Sequence, residues 1–141
     1  MNHPISFFIS GITFTLRGKT KLRKWISSSI RKEGFKLTSL NYIFCSDESL
    51  LEMNIRHLNH HTYTDIITFD LSSEKKTIDG EIYISIDRVK DNAAKFSIPF
   101  TQELHRVMIH GTLHLCGYKD KTPAAQKKMR KQEDFYLAKI I

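Results

Sequence analysis

The run from Thr101 to Cys116 constrains the fold most, because a helix through it would be apolar on nearly every side. At about 100° per residue, one side carries Leu104, Met108, Gly111 and Leu115. The apolar cover is extended almost all the way round by Val107, Ile109, Thr112, Leu113 and Cys116. A helix of this kind is usually buried. We therefore expect a central buried helix around which the rest of the chain packs.

The polar exceptions on this helix are a lone His105 and a narrow sector that holds Arg106, His110 and His114. Buried polar groups without partners cost about 1–3 kcal/mol each. A spacing of four residues stacks the imidazoles of His110 and His114 one turn apart on one face, where a single metal ion can take a nitrogen from each. A packed, hydrogen-bonded histidine pair is the alternative that the pair alone leaves open.

The residues after the helix supply a candidate third ligand. Gly117 permits a sharp turn, which can bring the carboxylate of Asp120 toward the two imidazoles. Three protein ligands leave a fourth position for water, which is typical of a catalytic metal site. In zinc proteases a glutamate follows the first histidine as general base, but Gly111 stands there in this chain. The pattern therefore favours a metal site and disfavours protease chemistry.

Short alternating segments and helical segments surround this helix. Strands are predicted at Ile12–Leu16, Leu37–Cys45, Thr64–Leu71 and Ile82–Ile86. Further helices are predicted at Thr20–Glu33, from a cap at Ser46 or Asp47 to Leu58, from Asp87 to about Phe96, and from Thr122 onward; Thr101 is the predicted cap of the central helix. We predict an α+β fold in one domain over residues 1–141, with a small mixed sheet of about four strands and about five helices packed on it.

Positive charge is concentrated in two segments. Residues 17–36 contain eight basic residues and one acid, and residues 119–131 contain six basic residues and one acid. The intervening residues 37–118 carry seven basic and eleven acidic residues. This distribution indicates an anionic partner, with RNA or DNA the obvious one, although lysines that simply solvate helix faces would give the same pattern.

The composition also bears on location. No apolar run reaches the roughly 18 residues that span a bilayer, and Ser, Gly and Thr interrupt the apolar N-terminal segment, so neither a membrane span nor a signal peptide is expected. Cys45 and Cys116 lie far apart in the sequence and form no C-x-x-C pair. We expect buried, reduced thiols in a cytoplasmic protein.

Three motifs together resemble one known family. HGTLHLCGYKD, from His110 to Asp120, resembles the H-G-x-L-H-L-x-G-x-D-H signature of the YbeY family of bacterial metallo-endoribonucleases. TDIITFD, from Thr64 to Asp70, and GEIYIS, from Gly80 to Ser85, resemble two strand motifs of that family. The motifs occur in the family's order, whereas the N-terminal third is similar in layout only.

The resemblance implies a single-strand-specific RNA hydrolase with one divalent metal ion, Zn²⁺. It also implies a role on the ribosome, in maturation of 16S ribosomal RNA at its 3′ end and in ribosome quality control. One alternative is a non-catalytic ribosome- or RNA-binding factor in which the metal only stabilises the fold. Another is a hydrolase of small molecules, which would have a deep apolar pocket instead of a basic groove.

The chain departs from the family pattern at two positions. Asp120 stands at the position of the third ligand histidine, so a site of two histidines and one carboxylate is expected, and iron becomes an alternative to zinc. Leu58 stands where many relatives carry an arginine that is thought to serve catalysis, and Arg56 lies two positions away.

Other residues have weaker predicted roles. The candidate phosphate contacts are Arg106, Lys119 and Lys121, with a surface or ion-paired arginine as the alternative for Arg106. Asp65 is a candidate hydrogen-bond partner of a ligand histidine, with a turn-forming residue at the start of a strand as the alternative. Side chains that could face the site, or could equally be solvated loop histidines, are His57, His60 and His61. No residue is assigned as general base.

Overall fold

A computed structural model describes residues 3–59 and 63–140, and its centre is one mixed sheet. The strands are β1 (Ile5–Ile9), β2 (Lys36–Cys45), β3 (Ile66–Asp70) and β4 (Thr77–Ser85), in the order β1-β2-β4-β3. β1 and β4 both pair in parallel with β2, whereas β3 pairs antiparallel with β4. The predicted small mixed sheet is confirmed.

Five α-helices accompany the sheet. They are α1 (Lys19–Lys32), α2 (Asp47–Met53), α3 (Ile86–Lys95), α4 (Phe100–Leu115) and α5 (Pro123–Leu137), and a π-helical turn, Asn54–Leu58, prolongs α2. The predicted caps Ser46 and Thr122 are confirmed, because each hydroxyl accepts a hydrogen bond from a backbone N–H of the first turn. The α+β class is confirmed as well.

Helix α4 is the predicted buried central helix. Its side chains Met108, Ile109 and Leu113 are buried in the core. On the sheet, the alternating residues Leu40, Tyr42 and Phe44 of β2 are also completely buried, as are Ile82 and Ile84 of β4. The hydroxyls of Tyr42 and Thr112 are 2.6 Å apart, so the polar atoms trapped between sheet and helix satisfy each other.

Two glycines let α4 lie close against the sheet. A Cβ added to Gly111 would lie 2.6 Å from Cδ1 of Ile66 and 3.0 Å from Cγ2 of Ile82. A Cβ added to Gly80 would lie 2.5 Å from the carbonyl oxygen of Phe69 and 3.2 Å from Cδ1 of Leu115. Gly80 therefore requires glycine for space, because backbone blocks the added Cβ, whereas at Gly111 the end of the Ile66 side chain would have to move. The two glycines let the histidine-bearing end of α4 lie close beside β3 and β4.

Helices α1 and α5 complete the core. The Trp25 indole Nε1 donates a hydrogen bond to the Tyr136 carbonyl at 2.8 Å, which joins the two helices. Met129 and Tyr136 of α5 are buried with Ile26 and Ile30 of α1. This packing places the inner face of α5 next to the polar sector of α4.

The predicted strand at Ile12–Leu16 is wrong, because the first strand is Ile5–Ile9 and residues 12–16 are irregular chain. Leu16 is nevertheless buried, and Phe14 packs against Phe44 and Phe100. The alternating apolar residues therefore belong to a segment that covers the core without joining the sheet. Residues Ile5–Ile9 form a strand because they pair with β2.

Three predicted boundaries also need correction. The cap of α3 is Ser85, whose hydroxyl accepts from the N–H of Arg88 at 3.1 Å, and Asp87 lies inside the first turn. The cap position of α4 is Pro99, so Thr101 lies inside that helix. β4 begins at Thr77 because the long partner β2 continues to pair with it there.

Both cysteines are free thiols, as expected. Cys45 is buried as predicted, whereas Cys116 is only half-buried. Across residues 3–59 and 63–140, no helix combines the length and the apolar character needed to cross a membrane.

Candidate metal centre

Three candidate metal ligands meet where α4 ends. His110 and His114 lie one turn apart, and their Nε2 atoms are 3.0 Å from each other. The chain then turns at Gly117, where φ is +98°, and returns Asp120 to the helix. Oδ2 of Asp120 lies 3.2 Å from Nε2 of His110 and 3.1 Å from Nε2 of His114. In the described part of the chain this is the one group of three such side chains that could hold an ion.

The ring of His114 is oriented by the backbone. Its Nδ1 lies 2.9 Å from the carbonyl oxygen of Tyr118. A carbonyl oxygen can only accept, so Nδ1 carries the proton and donates it. The Nε2 atom of the neutral ring is then left with a free lone pair that points at His110 and Asp120.

The ring of His110 is oriented by a glutamate from α5. Its Nδ1 lies 2.6 Å from Oε2 of Glu133, and Oε1 of the same carboxylate accepts from Arg106 at 2.8 Å. Burial raises the pKa of Glu133, but the hydrogen bonds from His110 and Arg106 outweigh it and hold the pKa below its usual value. Glu133 is therefore an ionised acceptor, and His110 also turns the lone pair of Nε2 inward.

The donor set fits a bound cation. Two imidazole lone pairs and a carboxylate oxygen face one another at 3.0–3.2 Å with no proton assigned between them, which is repulsive unless a cation or a proton is present. Ligands of a tetrahedral zinc site with bonds of about 2.0–2.1 Å are about 3.3 Å apart. The geometry therefore needs little adjustment to hold such an ion.

The pKa of His110 reflects the same arrangement. Burial lowers the pKa of the imidazole, but the carboxylates of Glu133, Asp120 and Asp65 together raise it above its ordinary value. A proton therefore binds the metal-free site more readily than it binds an ordinary imidazole, and a cation would compete with it.

A cavity of about 430 Å³ adjoins the centre, and His110 and Asp120 form part of its wall. The rest of the wall comes from Asp65 at the start of β3 and from helices α3, α4 and α5, including Glu103 of α4. Burial raises the pKa of the Asp65 carboxyl. Burial and then the nearby charge of Asp65 raise the pKa of Glu103. The cavity therefore combines access to the candidate ligands with two shielded acids, Asp65, which is half-buried, and Glu103, which is buried.

Asp65, the predicted hydrogen-bond partner of a candidate ligand histidine, does not hold either imidazole. Asp65 makes no hydrogen bond to either ring within the described residues, and Glu133 and the Tyr118 carbonyl orient the rings instead. A signal for Glu133 existed in the sequence, since it falls on the stripe of α5 that also carries Met129 and Tyr136. An acid on an apolar stripe requires a partner, and that partner is His110.

The weaker candidates occupy varied positions. Arg106 is ion-paired, with Nη1 2.8 Å from Glu133 and Nη2 2.7 Å from Asp134, so it matches the alternative named for it. Lys119 and Lys121 are exposed on either side of Asp120. The role of these three residues as phosphate contacts stays a prediction.

The segment after α2 contributes less than the family pattern suggests. The ring of His57 packs edge-on against Phe69, and Leu58 is exposed. Arg56 forms a salt bridge with Glu52 on the surface of the helix. The two remaining candidates of this segment, His60 and His61, lie outside the described residues.

The basic residues of α1 line a separate groove of about 460 Å³. Its wall is formed by His3, Thr20, Arg23, Lys24, Ser27, Ser28 and Arg31. Arg23 is partly committed, because its Nε donates to the Ile5 carbonyl at 3.1 Å and its guanidinium lies over the Phe7 ring. The groove therefore offers a cationic and hydroxyl-rich surface of the kind that binds phosphates.

Comparison with known proteins gives a consistent result. The family model described as "Endoribonuclease YbeY" matches residues 12–141. A protein of that name from Cytophaga hutchinsonii is 51% identical over 134 residues, which cover 95% of this chain and 94% of the relative. Another from Amoebophilus asiaticus is 48% identical over 133 residues, which cover 94% of this chain and 90% of the relative.

A solved structure is also similar. The solution structure of TM1509 from Thermotoga maritima superposes with a TM-score of 0.66 at 29% sequence identity. The match covers 96% of this chain and 88% of that one. The fold described above is therefore shared beyond close relatives.

Proposed function

This chain belongs to the YbeY endoribonuclease family, and from that premise we propose that it is a single-strand-specific, zinc-dependent endoribonuclease. Its substrate is ribosomal RNA, which it processes at the 3′ end of 16S ribosomal RNA and during ribosome quality control in the cytoplasm. The observation that carries the proposal is the convergence of two imidazole nitrogens and one carboxylate oxygen beside an open cavity.

His110, His114 and Asp120 would hold one divalent ion. The bound ion supplies Lewis-acid polarisation of a phosphoryl oxygen and lowers the pKa of a water molecule. Zinc suits two nitrogen ligands and one oxygen ligand, although the Asp120 carboxylate also makes the set acceptable to iron. Compared with a third histidine, Asp120 reduces the net positive charge of the site by one.

The protein groups around the ligands keep this arrangement ready. Glu133 and the Tyr118 carbonyl hold the protons of the two rings on Nδ1. Arg106 compensates the charge of Glu133, which would otherwise be costly to bury. Metal binding then requires no change of ring orientation.

RNA would be held mainly through its phosphates. Lys119 and Lys121 flank Asp120, where a strand that reaches the ion must pass. Lys24 and Arg31 in the α1 groove offer a second cationic contact. Contacts of this kind read charge and not base identity, so binding should weaken steeply as salt is added.

The non-catalytic alternative is less well supported. A metal that only stabilises the fold is usually closed off by four protein ligands, whereas this group offers three. The side chains of His110 and His114 keep about a quarter of their surface exposed, and Asp120 keeps 37%. The centre is thus accessible to a substrate, as catalysis requires. The proposed enzyme is a single domain of residues 1–141.

The experiment that tests this proposal combines elemental analysis with an RNA cleavage assay. The purified protein should contain about one equivalent of zinc and should cut single-stranded RNA but not duplex RNA. A chelator and the substitution His114→Ala should each abolish cutting, and His105→Gln on the same helix should not, because His105 packs against Trp25. Binding of RNA without cleavage under every metal tried would instead support the non-catalytic alternative.

A further inference from the structure

The cavity beside the candidate metal centre has an unusual lining for a nuclease. Its wall carries the carboxylates of Asp65, Glu103, Asp120 and Glu133. The guanidinium groups that face it are those of Arg106 and Arg130, and Arg106 is already paired with Glu133 and Asp134. The interior is therefore acidic and disfavours phosphate, although it adjoins a site proposed to act on phosphate.

Among the described residues, Glu103 is the acid of this wall that is buried without a hydrogen bond or a salt bridge, although Arg106 and Arg130 lie near enough to lower its pKa. The residue is 5% exposed, yet within residues 3–59 and 63–140 no group donates a hydrogen bond to its carboxylate and no cationic nitrogen lies within 4 Å. Its place in the first turn of α4 gives a favourable helix-dipole interaction, but an outward-facing acid would gain the same. The Glu103 oxygens are not sealed in the core but reach the cavity, where the donor groups of a ligand can replace water.

The other walls suit a flat, uncharged ligand. Phe96, at the end of α3, is 55% exposed and borders the cavity, so its ring face is available for stacking. Val107 and Met129 add apolar surface, and the amides of Asn92 and Gln126 add hydrogen-bonding groups. The volume of about 430 Å³ is ample for a nucleobase with its ribose.

A second metal ion is not the better occupant. The group of three ligands that meet within one ion's reach, in the described part of the chain, is His110, His114 and Asp120. The carboxylates of Asp65 and Glu103 do not form such a group. Because the carboxylates of Asp65 and Glu103 do not converge on one point, a planar ligand with several N–H donors suits them better than a single ion does.

We propose that this cavity is a nucleobase pocket in which Glu103 accepts hydrogen bonds from a guanine next to the scissile phosphate. Guanine presents N1–H and an exocyclic amine side by side, which match the two oxygens of a carboxylate. Uracil presents one N–H between two carbonyl oxygens, which a carboxylate repels. Because His110 and Asp120 belong to the cavity wall, a phosphate at the ion would place the neighbouring base at the entrance. This assignment rests on the function proposed above and adds base preference to it.

Sequencing of cleavage products tests the proposal. A single-stranded RNA with a randomised segment is cut by the zinc-loaded protein, and base frequencies are counted at each position around the cut. We expect guanine to be favoured over uracil by about 5-fold or more at one position beside the cut. Glu103→Gln should reduce that ratio at least several-fold, because the amide replaces one acceptor with a donor. Equal base frequencies at every position, or an unchanged ratio in Glu103→Gln, would overturn the proposal.

A binding measurement separates this pocket from the catalytic proposal. Short RNAs with one central guanine or uracil, whose linkages beside that base carry a methylene in place of the bridging oxygen and so cannot be hydrolysed, are titrated into the same protein by fluorescence anisotropy. Tighter binding of the guanine strand that is lost in Glu103→Gln supports the pocket, whether or not RNA is cleaved. Absence of cleavage alongside such binding would overturn only the endoribonuclease proposal. If the protein cuts RNA but shows no base preference in cutting or in binding, only the pocket proposal is overturned.

Two further variants test the pocket independently, in case Glu103→Gln does not fold. Phe96→Ala removes an exposed ring and should weaken binding of the guanine-containing strand by about 5- to 100-fold through loss of stacking. Phe135→Ala is the matched control, because Phe135 is 39% exposed and lies outside the cavity wall. Equal effects of the two substitutions would contradict the role of Phe96 in the pocket.

Discussion

The hydroxyl of Tyr118 donates a hydrogen bond to the carboxylate of Glu33 at 2.9 Å, and this contact ties the loop before Asp120 to the end of α1. Glu33 also accepts from the side-chain amide of Gln132 at 2.8 Å and from the hydroxyl of Tyr136. The backbone carbonyl of Tyr118 meanwhile orients His114. Tyr118 thus links the ring of a candidate ligand and the loop of Asp120 to Glu33, which in turn joins α1 to α5.

Tyr118→Phe is therefore expected to weaken metal binding while the protein stays folded. Loss of the anchor leaves the loop freer, so the affinity for zinc should fall by about 10-fold, as is usual when a supporting contact of a metal ligand is removed. Competition with a fluorescent chelator measures the affinity. Tyr83→Phe is the control, because among the described residues the Tyr83 hydroxyl hydrogen-bonds to Glu81 of its own strand, at 3.3 Å, and to no other side chain. Unchanged affinity in Tyr118→Phe would show that the loop needs no anchor.

Glu133→Gln should affect both metal affinity and stability. An amide cannot serve as an ionised acceptor for His110 and Arg106 at once, so zinc affinity should drop by about 10- to 100-fold. The free energy of unfolding of the metal-free protein should fall by about 1–3 kcal/mol, because Arg106 loses a buried partner. Zinc titration and urea denaturation measure the two effects.

Asp134→Asn separates the two roles of Glu133. Asp134 pairs with the same Arg106 but its side chain is 58% exposed, and it does not contact His110. We expect a loss of less than about 1 kcal/mol in the free energy of unfolding and no change in zinc affinity. A similar loss of zinc affinity in both variants would mean that the charge of Arg106 governs the metal site, and not the orientation of His110.

Gly80→Ala should destabilise the protein more than Gly111→Ala. The added Cβ at Gly80 would meet backbone, the Phe69 carbonyl oxygen at 2.5 Å, which cannot move without breaking the pairing of β3 with β4. At Gly111 the closest atom is the mobile end of Ile66, and alanine also favours a helix. We expect Gly80→Ala to cost about 1–3 kcal/mol or more in urea denaturation. The reverse order of the two losses would contradict this account of the close packing.

The metal-free protein should lose stability as the pH rises above neutrality. The pKa of His110 is raised on folding, so its contribution is fully present below the unfolded value of 6.5 and is lost as the pH rises through the folded value. The free energy of unfolding in the presence of chelator should therefore decrease as the pH rises above 6.5 and through the raised folded-state pKa of His110. Zinc affinity should increase over the same range, because zinc and the proton compete for the site.

The pH experiment is best done in a His105→Gln background. Burial and then Lys21 lower the pKa of His105 on folding, so its contribution is present above the unfolded value and is lost as the pH falls. It therefore opposes the slope from His110, and its removal isolates the effect. His110→Gln should abolish the remaining slope, and a slope that persists would assign the titration to another group.

The buried helix and the grouping of His110, His114 and Asp120 follow from local sequence. A stripe at helical spacing, two histidines four residues apart and a glycine that ends the helix act within a few turns of chain, where geometry depends on neighbours along the sequence. The structure brings these three side chains together, and their role as ligands stays a prediction. The same locality explains why Ser46 and Thr122 were predicted as caps.

The contacts that make the centre specific depend on the tertiary structure. Glu133 reaches His110 across 23 residues of sequence, and Glu33 reaches Tyr118 across 85. The place of Ile5–Ile9 in the sheet, which the sequence pattern assigned to Ile12–Leu16, likewise depends on the partner β2. The sequence by itself determined which side chains are available and how neighbours are spaced. Only packing of the helices on the sheet decided which acid meets which histidine, because such pairs form between segments whose relative position no local pattern encodes.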